Sequence, residues 1–140
     1  MDRWNERYLL DAVVKNMKRI SILLLLTSFA LPAAAGELVQ EFSGTGNTTT
    51  TSFDVQAPWL LDWRVNGDYE QMLALDVMLI DANTGRLVGR VAYTKRRGDG
   101  LRMFKDGGRY QLRISSTLAR WDIRIEQLTD EEAKQYTARK

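Results

Sequence analysis

The chain contains neither cysteine nor histidine in its 140 residues. The absence of cysteine excludes disulfide bonds and lipid attachment through a thiol. The absence of histidine excludes Ser–His and Cys–His nucleophilic pairs, a histidine general base and histidine-ligated zinc within the chain. No catalytic motif is recognisable among the remaining residues. We therefore expect a non-enzymatic protein that uses no cofactor and no metal ion.

Residues 36–140 carry no excess of positive or negative charge. The full sequence has 20 basic and 18 acidic residues. Residues 1–35 hold five of the basic and three of the acidic ones, which leaves 15 of each sign in residues 36–140. A basic surface that binds nucleic acid through its phosphates is therefore not expected.

The longest apolar run lies near the N-terminus, at residues 20–31. Lys-Arg precedes it and Ala-Ala-Ala follows at residues 33–35, which is the order of regions in a cleaved export signal. The run is shorter than the ~20 apolar residues that span a bilayer. We predict a signal peptide at residues 17–35, cleaved after Ala35. The mature protein is then periplasmic or secreted and meets a membrane only during export. The alternatives are a buried core helix and a retained membrane anchor.

Met17 offers a second start for translation. A chain that begins there opens directly on the compact signal MKRISILLLL. The preceding residues 1–16 add nothing that an export signal needs, so we predict that they are a mis-called start. The alternatives are a long N-terminal region of the signal and a short amphipathic helix through Trp4, Tyr8, Leu9 and Val13. The intact mass of the unprocessed precursor distinguishes the two starts.

From residue 36 onwards, short runs of alternating apolar and polar residues are separated by turn residues. No sustained helical period occurs there, and this combination is typical of an all-β protein. We predict an antiparallel, jelly-roll-like β-sandwich over residues 36–128 and a charged C-terminal tail over residues 129–140, in which Asp130 caps a short helix. The sandwich has about eight short strands, at residues 38–42, 51–56, 59–65, 73–80, 87–94, 101–104, 110–114 and 121–126.

Two of the predicted turns have distinctive sequences. DANTG, at residues 81–85, is typical of a hairpin loop in which Gly85 takes a left-handed conformation. KRRGDG, at residues 95–100, predicts a charged turn. Sequential hairpins of this kind would place consecutive strands side by side.

The core is predicted from the parity of the apolar residues along each strand. Three tryptophans have the parity of the apolar face, which favours core packing over an exposed sugar-stacking platform. The predicted core contains Phe53, Val55, Trp59, Leu61, Trp63, Val65, Leu75, Val77, Leu79, Tyr110, Leu112, Ile114, Trp121, Ile123 and Ile125.

The strand at residues 73–80 is apolar on both sides. Its second face carries Ala74, Met78 and Ile80, interrupted by Asp76. A strand that is apolar on both faces predicts that both are covered. The cover could be the C-terminal tail, a long loop or another subunit, so this second face is a candidate partner surface for an envelope protein or a homodimer.

Arginines recur on the polar side of the last three predicted strands. A cluster of them could clamp a carboxylate, a phosphate or a sulfated glycan, and exposed tyrosines could stack on sugar rings. A solvated face with cross-strand carboxylate partners is the plainer interpretation. The candidate contacts for an anionic ligand or glycan are Arg102, Arg109, Arg113, Arg124, Tyr69 and Tyr93.

Two carboxylates raise the alternative of a small hydrolase. Asp62 and Asp76 occupy neighbouring predicted strands and face away from the core by parity. If the two side chains approached each other, they could act as an acid–base pair. No further residue supports such a site.

Several motifs of the sandwich resemble small exported bacterial β-sandwich modules. They are the turn GTGN before a Thr/Phe strand, the Trp-rich run WLLDWRV, and the runs GGRYQLRISS and ARWDIRIEQL. The similarity covers residues 42–128 and extends loosely to pre-peptidase C-terminal-type domains. It implies a β-sandwich, pairing of the last two strands and an envelope setting, and assigns no functional residue.

These observations favour an exported protein-interaction or structural accessory module of the cell envelope. The alternative is a carbohydrate-binding module for an envelope or extracellular polysaccharide.

Overall fold

The computed structural model describes residues 36–137. The predicted start region, the signal peptide and its cleavage after Ala35 lie outside the described residues, as do residues 138–140. The described residues belong to one compact unit. They form nine strands and one helix: β1 (Glu37–Gly44), β2 (Thr48–Thr49), β3 (Phe53–Val55), β4 (Trp59–Asn66), β5 (Ala74–Asp81), β6 (Leu87–Thr94), β7 (Gly98–Phe104), β8 (Gly108–Thr117), β9 (Arg120–Gln127) and α1 (Asp130–Thr137).

The strands build two antiparallel sheets that pack face to face. The first sheet has the order β1-β9-β4-β7. The second has the order β2-β8-β5-β6, and β3 pairs with β8 on the same edge as β2. Because β2 and β3 share one edge position beside β8, these two orders have the connectivity of a jelly roll. The prediction of an all-β, jelly-roll-like sandwich is confirmed, with β2 as a short additional strand.

The expectation of sequential hairpins is wrong for most connections. Only β5 and β6 are both adjacent along the chain and paired, and Gly85 in their turn has the expected left-handed φ of 71°. The chain changes sheets at six connections, β1–β2, β3–β4, β4–β5, β6–β7, β7–β8 and β8–β9. The last two strands therefore do not pair with each other, contrary to what the resemblance implied.

The core between the sheets matches the predicted set closely. Trp59 and Trp121 are buried, and each indole N–H donates to a backbone carbonyl, that of Asp106 (2.9 Å) and of Gly46 (3.1 Å). Trp59 also stacks on Phe104, with ring centroids 4.1 Å apart. Trp63 is the exception, because it is only half-buried against the edge of the core.

The strand β7 begins earlier than the sequence suggested. Gly98 and Gly100 were placed in a turn, yet they pair with Val65 and Trp63 of β4. A Cβ atom at Gly100 would lie 2.6 Å from the Trp63 indole nitrogen. Glycine is therefore present because the indole fills the space above the strand, not because the backbone turns.

The helix α1 lies at the polar outer side of the first sheet. Thr129 caps it, since the Thr129 amide donates to Glu132 Oε2 (2.7 Å) and the Glu132 amide donates to Thr129 Oγ1 (3.2 Å). This reciprocal capping box corrects the assignment of Asp130 as the cap. Beneath the helix, Leu60 is 2 % exposed although it faces away from the core.

Candidate interaction face

The outer face of the second sheet is the candidate site, and we call it the open face. It consists of the outward side chains of β5, β6 and β8. Leu75, Val77 and Leu79 of β5 are buried in the core, so by alternation the intervening residues point outward. These include the three predicted partner residues, Ala74, Met78 and Ile80, together with Asp76.

No other element of residues 36–137 covers the open face. The C-terminal helix, which was one predicted cover, packs on the opposite sheet, beside Met103 and Lys105. Ile80 is only 8 % exposed. Its cross-strand neighbours, Leu87 and Gln111, flank it on both sides. Flanking side chains thus shield the strand in place of a covering layer.

Cross-strand pairing places arginines on both sides of the apolar strip. Met78 pairs with Arg90 of β6 and with Arg113 of β8. Neighbouring strands lie about 4.8 Å apart, so the two arginines stand on either side of Met78 across three strands. The open face therefore combines an apolar centre with arginines at its sides.

Arg90 is held in a fixed position on this face. Its Nε and Nη2 donate to the two carboxylate oxygens of Asp76, both at 3.0 Å. Its guanidinium carbon also lies 4.9 Å from the centroid of the Tyr93 ring. The bidentate pair and the cation–π contact together restrict Arg90, and they cover one side of the Tyr93 ring.

Arg109 and Arg113 carry charge that no carboxylate pairs within the described residues. Arg109 donates to Ser52 Oγ from Nε (3.2 Å) and Nη2 (3.1 Å). Arg113 is exposed, and no ion pair involves it in residues 36–137. These two predicted contact residues therefore share a face with Met78 and Tyr93.

The other predicted contacts lie elsewhere, because the last three strands do not share one face. Arg102 pairs with core-facing Leu61, and its Nη1 donates to the Arg90 carbonyl at the edge of β6. Arg124 lies on the outer face of the first sheet, 3.9 Å from Glu126. Tyr69 lies in the β4–β5 loop. The sequence could not separate these positions, since parity along a strand does not identify its sheet.

The predicted acid–base pair of Asp62 and Asp76 does not form. Asp62 is on β4 of the first sheet and Asp76 is on β5 of the second, and both point outward from opposite sides of the sandwich. Asp62 instead lies 3.6 Å from Arg64 on its own strand. The hydrolase alternative loses the geometry on which it rested.

Other features of the described residues are less suited to a site. A groove of about 580 Å³ runs between α1 and residues 57–58, Met103 and Lys105, and it is open to solvent. Within residues 36–137 there is no cluster of acidic residues arranged to hold a metal ion. No helix in this part of the chain is long and apolar enough to cross a bilayer.

Sequence reasoning missed the contribution of β6. Leu87 is 51 % exposed and pairs with Ile80, so it extends the apolar strip of β5 to the edge strand of the sheet. The hairpin loop could have indicated which residues of β6 neighbour β5. Two register shifts in this pairing, at Val77/Met78 and Leu79/Ile80, prevent simple counting across the hairpin.

Comparison with known proteins adds no assignment to this geometry: the sequence matches no protein-family model and no curated protein.

Proposed function

We propose that the protein is a non-enzymatic accessory module of the cell envelope that binds another protein through the open face. The observation that carries this proposal is the uncovered outer side of β5, where Met78 and Ile80 continue into exposed Leu87 of β6. An apolar strip of this kind, rimmed by polar residues, is typical of protein-interaction sites.

The side-chain chemistry of the open face favours a protein partner over a polysaccharide. Methionine, tyrosine and arginine are enriched where proteins meet, and a fixed arginine is a common anchor. A sugar ring needs an open aromatic face, whereas Arg90 covers one side of Tyr93 and two of the three sandwich tryptophans are buried.

The charges of the open face indicate which chemical groups the partner surface carries. Arg109 and Arg113 have no carboxylate partner in the described residues. A second copy placed with its open face against this one would bring arginines towards arginines. A partner with carboxylates around an apolar patch complements the face better, so we infer an acidic envelope protein.

Site-specific photo-crosslinking in cells tests the proposal. A photoreactive residue replaces Arg113 on the open face, and a matched one replaces Ser43 on the outer face of the first sheet. We expect one defined adduct from position 113 and none from position 43. The partner, identified and purified, should then bind the wild-type protein and bind Arg109→Glu at least about tenfold more weakly, because a repulsive charge replaces an attractive one.

Each contrary outcome is informative. Equal crosslinking from positions 43 and 113, or unchanged affinity of Arg109→Glu for the purified partner, would refute the open face as the binding site. A crosslinked homodimer would identify a second copy as the occupant. Polysaccharide binding that Tyr93→Ala abolishes would favour the carbohydrate-binding alternative.

A further inference from the structure

Three exposed apolar side chains converge at one end of the sandwich. Tyr69 is 63 % exposed, Met72 is 64 % exposed and Leu118 is 48 % exposed. They belong to the β4–β5 loop and the β8–β9 turn, which meet where Ala74 pairs with Thr117. We call loops 67–73, 95–97 and 118–119 together the loop end.

Contacts between its segments hold the loop end in one arrangement. Gly67 packs so closely on the Leu118 carbonyl that a Cβ atom would lie 2.5 Å from the oxygen. Arg97 Nε donates to the Gly67 carbonyl at 2.7 Å. Arg120 pairs with both carboxylate oxygens of Asp68, at 3.0 and 3.3 Å. Packing, a hydrogen bond and an ion pair therefore hold together the segments that carry the exposed apolar residues.

Leu118 has an unusual backbone conformation for its type. Its φ is 47°, and it is the single non-glycine residue with positive φ among the described residues. Glycine or asparagine adopts this conformation at little cost, whereas a leucine there is strained. A strained position that also exposes a large apolar side chain indicates that the side chain has a use other than folding.

The charges around these side chains are mostly positive. Asp68 is neutralised by Arg120, and the hydrogen bond from Arg120 lowers the pKa of Asp68, so this carboxylate stays ionised in its pair. Glu70 is then the remaining acidic residue of the loop end, against Lys95, Arg96 and Arg97. Exposed apolar side chains beside a basic segment fit a surface that is apolar beneath a layer of phosphates.

We propose that the loop end docks on the anionic surface of a lipid bilayer, with Tyr69, Met72 and Leu118 inserted between the headgroups and with Lys95 and Arg96 against the phosphates. This contact is separate from the open face, and it departs from the sequence-based expectation that the chain meets a membrane only during export. Separate loop tips suit insertion among lipids better than they suit a flat protein interface.

Co-sedimentation with vesicles tests the proposal. The chain from Gly36 onwards contains both sheets and the whole core described above, so it is used to avoid the apolar run at residues 20–31. Vesicles contain phosphatidylcholine with phosphatidylglycerol, or phosphatidylcholine alone. We expect binding to the anionic vesicles that weakens with added salt, and about tenfold weaker binding for Leu118→Gly, because the variant loses one inserted apolar side chain.

Leu118→Gly also separates insertion from folding. The substitution relieves the backbone strain, so a Leu118 that takes no part in binding would give a protein of equal or higher thermal stability with unchanged vesicle binding, and a Leu118 that serves only packing would give a less stable one. We expect unchanged or higher stability together with weaker binding. Leu38→Ser, on a side chain of β1 that is 46 % exposed, is the matched control and should bind like the wild type.

A charge-reversal pair completes the test. Lys95→Glu with Arg96→Glu should abolish the preference for phosphatidylglycerol, because each basic side chain near the surface contributes attraction to anionic lipid. Absence of binding to anionic vesicles at low salt would overturn the proposal. So would a photoreactive residue at position 72 that labels a protein in cells and no lipid.

Discussion

The two outer faces of the sandwich differ although their strands follow the same alternation. On the first sheet, Leu60 is buried beneath the C-terminal helix. On the second sheet, Met78 occupies a comparable central position with no covering element from residues 36–137 and is only half-buried. An outward apolar residue thus serves intramolecular packing on one face and remains available for a partner on the other.

The charged residues of the two faces differ as well. On the first sheet's outer face, carboxylates outnumber guanidinium groups: Glu41, Asp62, Asp99, Asp122 and Glu126 against Arg64, Arg120 and Arg124. On the open face, Asp54 and Asp76 stand against Arg90, Arg109 and Arg113. Each arginine of the first face has an ion pair among the described residues, whereas Arg109 and Arg113 of the open face have none there. This contrast is what singles out the open face.

The largest effect should come from truncating the covered apolar residue. We expect Leu60→Ala to lower the free energy of unfolding by about 2–4 kcal/mol, because it leaves a cavity under α1. Met78→Ala should cost less than about 1 kcal/mol, since Met78 is already partly solvated. Urea unfolding followed by tryptophan fluorescence measures both. Equal losses would mean that the two faces are equally covered.

The capping box provides a milder change on the covered face. Thr129→Ala removes the side chain that accepts the Glu132 amide, and we expect a loss of about 1 kcal/mol from the helix. This loss of helix stability should appear as faster amide hydrogen exchange at residues 131–134. Thr137→Ala, the same chemical change at the other end of α1, is the control. If exchange rises equally in both variants, the capping box does not hold the helix.

The ion pairs of the two faces allow a direct comparison. Asp76→Asn breaks the bidentate pair with Arg90, and Asp62→Asn breaks a single 3.6 Å contact with Arg64. The side chains are partly exposed, so each loss should lie within about 0–1 kcal/mol, larger for Asp76. Thermal unfolding measures the losses. A larger loss for Asp62 would reverse the comparison.

The smallest effect should come from an arginine of the open face. Arg113→Gln is expected to change the free energy of unfolding by less than about 0.5 kcal/mol, because Arg113 is exposed and unpaired in residues 36–137. Chemical denaturation tests this. A loss above about 1 kcal/mol would show that Arg113 serves the fold and weaken its assignment to a partner surface.

Local pattern was enough to predict most strands and most of the core, although Leu73, Val91, Ala92 and Ala119 were missed. Leu75, Val77 and Leu79 were assigned to the core by alternation alone, and the structure confirms them as buried. Gly98 and Gly100 were assigned to a turn because glycine is a common turn residue. At Gly100 the reason for glycine is the Trp63 indole that lies over it, and the sequence does not show that contact. Trp63 was assigned to the core by parity, but its indole lies over Gly100 of the edge strand β7 and is only half-buried.

The candidate site was less predictable than the fold. Ala74, Met78, Ile80, Arg109 and Arg113 were each named from the sequence, but their convergence on one face depends on the pairing of β5 with β8, more than 30 residues later in the chain. Arg102 and Arg124 belonged to the same predicted set and lie elsewhere. The residues next to an arginine in the sequence do not indicate which sheet its strand joins.

The sequence by itself excluded histidine and cysteine chemistry within the chain, and it determined the all-β class and the inward side of most of the longer strands, because these follow from residue type and from the two-residue period of a strand. Tertiary structure decided which strands share a sheet, which outer face the helix covers and which loops meet at one end. Those outcomes depend on contacts between residues far apart in the chain, where packing against distant partners overrides any local preference.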